Sequence, residues 1–150
     1  MEYVPYLYIG DLHFGMNRKK IRLQYGTHRA FKCGFPIENR HGDDFGTFHA
    51  YYTSKFVLEA VSLFPPCSFT CRGKQINVSN DATEIVNNLK DITDDVKFSA
   101  LDQSYYSKKL GLVIFCPDNA VENVLFFDEH YYDEENAYLK KNFGVEKFEL

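Results

Sequence analysis

The chain predicts an α+β fold: an antiparallel sheet, or two smaller ones, with short helices packed on one face. Three observations lead there. Runs of short β-rich segments follow single short helical segments, the order that marks segregated helices and mostly antiparallel pairing. Turn residues separate the runs at hairpin distances. The unit also occurs twice. Its first copy runs from Phe14-Gly15-Met16-Asn17-Arg18 through a helical stretch to FGTFHAYY and VLEAVSLF, and its second from Asn80-Asp81 through another helical stretch to LGLVIFCP and VENVLFFD. In each copy a Gly opens an apolar strand and a Val/Leu-Glu step opens the next, thirteen positions apart from Gly46 to Glu59 and eleven from Gly111 to Glu122. At 150 residues the chain reads as one domain, 1–150, with internal repeats over 10–76 and 77–132. A duplicated scaffold of this kind suits the presentation of a surface more than a reaction centre.

The elements follow in order along the sequence. Tyr6 to Ile9 reads as a short strand closed by Gly10-Asp11. Asn17 is placed to cap a helix, its side chain accepting from the free donors of the first turn. That helix runs to about Tyr25 and stops at Gly26. Ile21 and Tyr25 are four apart and share a face, with Arg18, Lys19, Lys20 and Arg22 around it. Residues 31–37 form a strand closed by Pro36. Glu38 to Asp44, ENRHGDD, is polar with a Gly and reads as a loop. Phe45 to Tyr52 and Phe56 to Phe64 are β-rich and separated by Thr53-Ser54-Lys55, a hairpin length. Pro65-Pro66 ends that run, and Ser68 to Cys71 makes another strand, turning at Arg72-Gly73-Lys74.

The second half restarts at Ser79-Asn80-Asp81. Ile85, Val86 and Leu89 give Asp81 to Lys90 the stripe of an amphipathic helix. Val96 to Phe98 and Gln103 to Ser107 are short strands. Leu110 to Cys116 is nearly continuous apolar sequence, as suits a buried central strand. Pro117-Asp118-Asn119 turns the chain into the strand Val121 to Phe127. The last fifteen residues read as a helix with Tyr138, Leu139 and Phe143 on one side.

Hydrophobic residues make up 45% of the chain, ample for a core, and the 17% aromatic share comes entirely from 14 Phe and 11 Tyr. That many tyrosines exceed what a small core buries. They fit either a binding face, where Tyr is enriched, or the outward positions of strands. No apolar run approaches the ~20 residues of a membrane span. The start, Met1-Glu2-Tyr3-Val4-Pro5, has no basic region ahead of an apolar stretch, so no signal peptide is expected. The expectation is a cytoplasmic protein in which Cys33, Cys67, Cys71 and Cys116 are reduced thiols. Cys67 and Cys71 form a C-x3-C without a partner pair, a weak metal signal. Cys33 and Cys116 sit in apolar segments and read as core.

The net charge of −4 hides an asymmetry. Residues 1–80 carry ten Lys/Arg against six Asp/Glu, a balance of +4, while residues 81–150 carry seven against fifteen, a balance of −8. An acidic half repels phosphates and argues against nucleic-acid binding across the whole surface. It favours a basic partner, because complementary charge speeds encounter. The basic cluster Arg18-Lys19-Lys20-x-Arg22 could contact phosphates, but it equally describes the wet face of a helix.

Two groups stand out as candidate sites. Asp128-Glu129-His130-Tyr131-Tyr132-Asp133-Glu134-Glu135 places five carboxylates, a His and two tyrosines in eight residues. Carboxylates there would pair with Arg and Lys of a basic cleft, and the Tyr rings would supply contact area. Asp43 and Asp44 are the second choice for the same partner. The alternative function is a small enzyme or metal-binding protein centred on His41, Asp43, Asp44 and His49, residue types that hold metal ions at short spacing. His13, His28 and His130 stand alone. No nucleophile elbow, zinc-binding H-E-x-x-H or Gly-rich phosphate loop is present, so neither catalytic residue nor cofactor is assigned.

The stretch GDLHFGMNRKKIRLQYG resembles the opening I-x-F-G-M-x-R-x-x-V/I-R-x-x-x-G of small bacterial proteins encoded beside polymorphic or contact-dependent toxins. LGLVIFCPDNAVENVLFFDEHYY is similar to their later text, a strand, a short turn and a Val-Glu-x-Val-Leu-x-Phe strand ending in Tyr-Tyr-Asp. The resemblance spans roughly residues 9–132 and leaves Phe31 to His41 unplaced. It implies a cytosolic immunity protein that binds and neutralises a cognate toxin C-terminal domain, often a nuclease. Partner-binding residues diverge with the toxin in such proteins, so the resemblance transfers none of them.

Overall fold

The computed structural model describes residues 1–26, 29–34 and 40–149. Three two-residue strands, β1 (Tyr3–Val4), β2 (Tyr8–Ile9) and β3 (Leu12–His13), make a small antiparallel sheet. Helix α1 (Arg18–Tyr25) follows, then a meander of β4 (Arg29–Cys33), β5 (Arg40–Asp44), β6 (Phe48–Tyr52) and β7 (Leu58–Leu63). A hairpin, β8 (Cys67–Cys71) and β9 (Lys74–Val78), leads into α2 (Ala82–Lys90). A second meander follows: β10 (Lys97–Ser99), β11 (Ser104–Ser107), β12 (Leu112–Phe115) and β13 (Asn123–Phe127). Helix α3 (Asp133–Phe143) and a 3-10 turn at Lys147–Glu149 end the described chain. The two meanders join into one eight-stranded antiparallel sheet of order β10-β11-β12-β13-β7-β6-β5-β4. The class is the α+β that the sequence predicts.

The join is two-fold in register. Val61 faces Phe126 and Leu63 faces Val124 across the β7–β13 ladder. Val61 to Val124 and Leu63 to Phe126 are the same 63-residue step, so the two pairs exchange under it and Ser62 opposite Leu125 is its own image. The opening helices match as well. Asn17 Oδ1 accepts from Lys19 N at 2.8 Å, as its predicted capping role requires, and Asp81 Oδ1 accepts from Thr83 N at 2.9 Å, capping α2 in the same way. Each cap also bridges the segment leading into the last strand of its own meander, Asn17 to Val57 and Asp81 to Ala120.

Alternation along the strands sorts side chains to two faces. The first face carries Ala50, Tyr52, Leu58, Val61, Leu63, Leu112, Ile114, Val124 and Phe126. It is covered by Ile21 of α1, by Ala82, Ile85 and Leu89 of α2, and by Phe69, Cys71, Ile76 and Val78 of the hairpin. Tyr3 anchors the N-terminal sheet there, its hydroxyl donating to Leu110 O at 2.7 Å and Gly111 O at 2.9 Å. The second face carries Ala60, Tyr106, Val113, Leu125 and Phe127, covered by Tyr131, Tyr132 and Phe148. Helices α1 and α2 therefore share one face, and the chain around α3 closes the other.

Several elements differ from expectation. The polar run to Asp44 is not a loop: residues 40–44 form β5, paired on both sides, because the partners of its polar side chains lie on other elements. Its Gly42 sits beneath the ring of Phe31, where a Cβ would run into the ring carbons. The predicted strand 31–37 is described only at its start, as part of β4; its closure at Pro36, with Glu38, Asn39 and the lone His28, lies outside the described residues. Helix α3 begins at Asp133, ahead of the predicted start, because three carboxylates in its first turn complement the helix dipole. Leu139 packs inward, but Phe143 of the predicted apolar side is 66% exposed.

Candidate interaction surface

The second face is built around a bulge. Tyr51 pairs with Ala60 but Tyr52 pairs with Leu58, so Glu59 is left as the extra residue of β7. The bulge turns Glu59 toward Arg40 of β5, 3.4 Å away, and both side chains are largely buried. Arg40 donates from Nη2 to Tyr131 O at 3.0 Å, and its guanidinium lies 3.9 Å from the Tyr131 ring centroid. Burial pushes the Glu59 carboxyl up to about 7; Arg40 opposes the rise, and Asp128, Glu134 and Asp133 add to it.

The turn after β13 sits over this pair. Asp128 N donates to Glu59 O at 2.9 Å, tying the turn to the bulge. Asp128 Oδ1 accepts from His130 N at 3.0 Å, and burial raises the Asp128 carboxyl above its ordinary range. His130 pairs with Asp133 at 2.9 Å, and that hydrogen bond raises the imidazole pKa. Tyr131 stacks on Phe127, and Tyr132 meets Tyr131, Phe127 and Phe148 edge-on. At the C-terminus Lys147 Nζ lies 3.1 Å from Asp102 and 3.6 Å from Glu135, and Phe148 stacks on Tyr106. The turn is thus held from below by aromatic packing and from the side by the C-terminal residues.

Two cavities flank the bulge, sharing Arg40 and Tyr131. One, of about 290 Å³, is lined by Tyr51, Ser62, Asn123, Tyr132, Glu135 and Lys147, among others. The other, of about 280 Å³, is lined by Glu59, Thr53, Ser54, His130, Asp133 and Glu134, among others.

The predicted acidic stretch is contiguous in space but divided in role. Glu129, Asp133 and Glu134 are exposed, while Asp128, Tyr131 and Glu135 are half-buried. Tyr132 is buried, a correction to its expected place on a contact surface: its ring fills the second core. Glu135 is engaged by Lys147. Asp43 is also corrected. It is 0% exposed and accepts from Arg22 Nε at 2.8 Å, Arg22 Nη2 at 2.7 Å and the Tyr52 hydroxyl at 3.0 Å, so it docks α1 and cannot reach a partner. Asp44 is half-buried on the opposite side of β5, 3.4 Å from His49.

The metal grouping does not assemble. His41 and Asp43 project to the first face, where the His41 ring meets that of Phe56 at a tilt, while Asp44 and His49 project to the second. Strand alternation separates the four into two pairs, and among the described residues no three of His, Cys, Asp or Glu converge as a metal site.

No family model, curated protein or solved structure matches this chain. Geometry alone therefore points to the further residues that matter here, Arg40, Glu59 and Lys147. Only Glu59 carried a sequence signal, the Val/Leu-Glu step shared with Glu122, and that signal concerned the repeat and not the bulge.

Proposed function

We propose that this protein is a non-enzymatic inhibitor, an immunity protein that binds and neutralises a cognate toxin domain in the cytoplasm. The partner is a basic domain, in this reading a nuclease, and the contact is the outer side of the 128–135 turn. One observation carries the reading: Glu129, on the turn after β13, and Asp133 and Glu134, in the first turn of α3, all face solvent over an underside fixed by Tyr131 and Tyr132. A rigid acidic ridge loses little entropy on meeting a cationic cleft. The balance of −8 over residues 81–150 supports the same partner chemistry, as does the resemblance to toxin-linked proteins. Asp44 stays a peripheral contributor at most, because His49 and Arg29 lie beside it.

Co-expression and pull-down with the product of the reading frame immediately upstream is the test. A tight complex that relieves growth arrest is expected; no complex and no rescue removes the proposal. Reversing Glu129, Asp133 and Glu134 to Lys should then slow association by about tenfold or more at low salt, with the effect shrinking as salt rises. An unchanged rate would move the contact elsewhere on the molecule.

A further inference from the structure

We infer that the cavity between the Glu59 bulge and the α3 N-terminus is a receptor for one arginine side chain. The inference takes its source of arginine, a basic partner, from the function proposed above, and it names what that partner inserts. Three features of the cavity argue for it.

First, the cavity is built by a defect in the sheet and not by a chance gap between loops. Without the slip between Tyr51 and Tyr52, alternation would send Glu59 to the first face. With it, a carboxylate 90% removed from solvent lines an open cavity of about 280 Å³, room for one long side chain.

Second, Glu59 is under-partnered. Among the described residues its carboxylate makes one ion pair, to Arg40 at 3.4 Å, and no hydrogen bond. Arg40 is itself shared, donating to Tyr131 O and lying on the Tyr131 ring. Buried carboxylates normally carry several hydrogen bonds, so this one retains acceptor capacity.

Third, the charges around it are unbalanced. Glu59, Asp133 and Glu134 line the cavity against the Arg40 guanidinium and the His130 imidazole, and Asp133 already engages His130. Thr53 and Ser54 are polar members of the same lining. A planar group with five donors suits acceptors arranged around a cavity better than a point charge does.

The test is titration of the isotope-labelled protein with N-acetyl-arginine amide, and separately with the neutral citrulline analogue, followed by the backbone amide signals. Saturable shifts at Glu59, Tyr131 and Glu134 are expected with the arginine compound and none with citrulline. Glu59→Gln should weaken binding about tenfold or more, and Glu134→Gln, at the exposed rim, about two- to fivefold. No saturable shift, equal shifts with citrulline, or undiminished binding in both variants would overturn the inference. If Glu59→Gln loses its dispersed spectrum, Glu134→Gln decides alone. Arginine binding without toxin rescue would keep the receptor and remove the inhibitor reading; rescue without arginine binding would do the reverse.

Discussion

Helices α1 and α2 hold equivalent places, each opening a four-stranded meander and each pinned by its cap to the segment before the last strand. They dock by different chemistry. Helix α2 buries Ala82, Ile85, Val86 and Leu89. Helix α1 buries Ile21 alone, and its next residue, Arg22, grips Asp43 through two hydrogen bonds. The grip raises the Arg22 pKa, and burial together with Asp43 raises that of Tyr52. Topology therefore fixes where a helix lies but not what holds it. An apolar face loses stability gradually as atoms are removed. A buried ion pair adds little net stability, yet it is costly to break, because the surviving partner stays in place without a counter-charge.

The largest effect is expected at that pair. Arg22→Ala should cost about 3–5 kcal/mol in urea unfolding, leaving the fully buried Asp43 carboxylate with the Tyr52 hydroxyl but no counter-charge. A cost below about 1 kcal/mol would show that α1 is held by something else. Asp43→Leu combined with Arg22→Met should recover most of the loss, since two apolar groups replace two charges. Leu89→Ala in α2 should cost about 2–5 kcal/mol through the cavity it leaves, and no second substitution of a charged residue should rescue it.

This contrast explains what was legible in the sequence. Helix α2 was legible in full, because Ile85, Val86 and Leu89 repeat at helical spacing and Asp81 marks the start. The cap at Asn17, the turn at Pro117 and the buried run around Val113 were equally local signals. Strand β5 was not legible, because its polar side chains are satisfied at a distance: Asp43 by Arg22 and Tyr52, Arg40 by Glu59 and Tyr131. A polar run reads as a loop until its partners are known. The acidic residues of 128–135 lie together in space, but the tyrosines among them were placed outward when both pack against Phe127. The bulge at Glu59 left no local mark, since it is a property of the register between two strands.

Glu59 gives the next effect in size, and it separates the second face from the first. Its folded pKa, about 7, stands above the ordinary value of 4.5. The folded protein therefore holds more protons than the unfolded chain between those values, and stability falls as pH rises through that window. The wild type should lose about 1–3 kcal/mol relative to Glu59→Gln between pH 4 and pH 8. Denaturant midpoints of both proteins at the two pH values measure this. A difference that is flat with pH would mean that Arg40 fully compensates the carboxylate.

The smallest effect returns to the two helices and asks whether their caps are as alike as their positions. Asn17→Ala and Asp81→Ala each remove one side-chain acceptor from a first turn and leave the backbone bridge intact, so each should cost about 1 kcal/mol. They should not be equal. Helix α2 starts with a charged cap and Glu84 in its first turn, both favourable to the dipole, whereas α1 starts with Arg18, Lys19 and Lys20 and no acidic residue. Asp81→Ala therefore loses a hydrogen bond and a charge, and Asn17→Ala loses the hydrogen bond alone. Asn17→Asp supplies the missing charge and should stabilise the protein by about 0.3–1 kcal/mol at low salt, fading as salt is added. Thermal unfolding of the three variants at two salt concentrations resolves the order. A gain from Asn17→Asp that survives high salt would place its origin in the hydrogen bond, and the difference between the two helices would then rest on the Arg22–Asp43 grip alone.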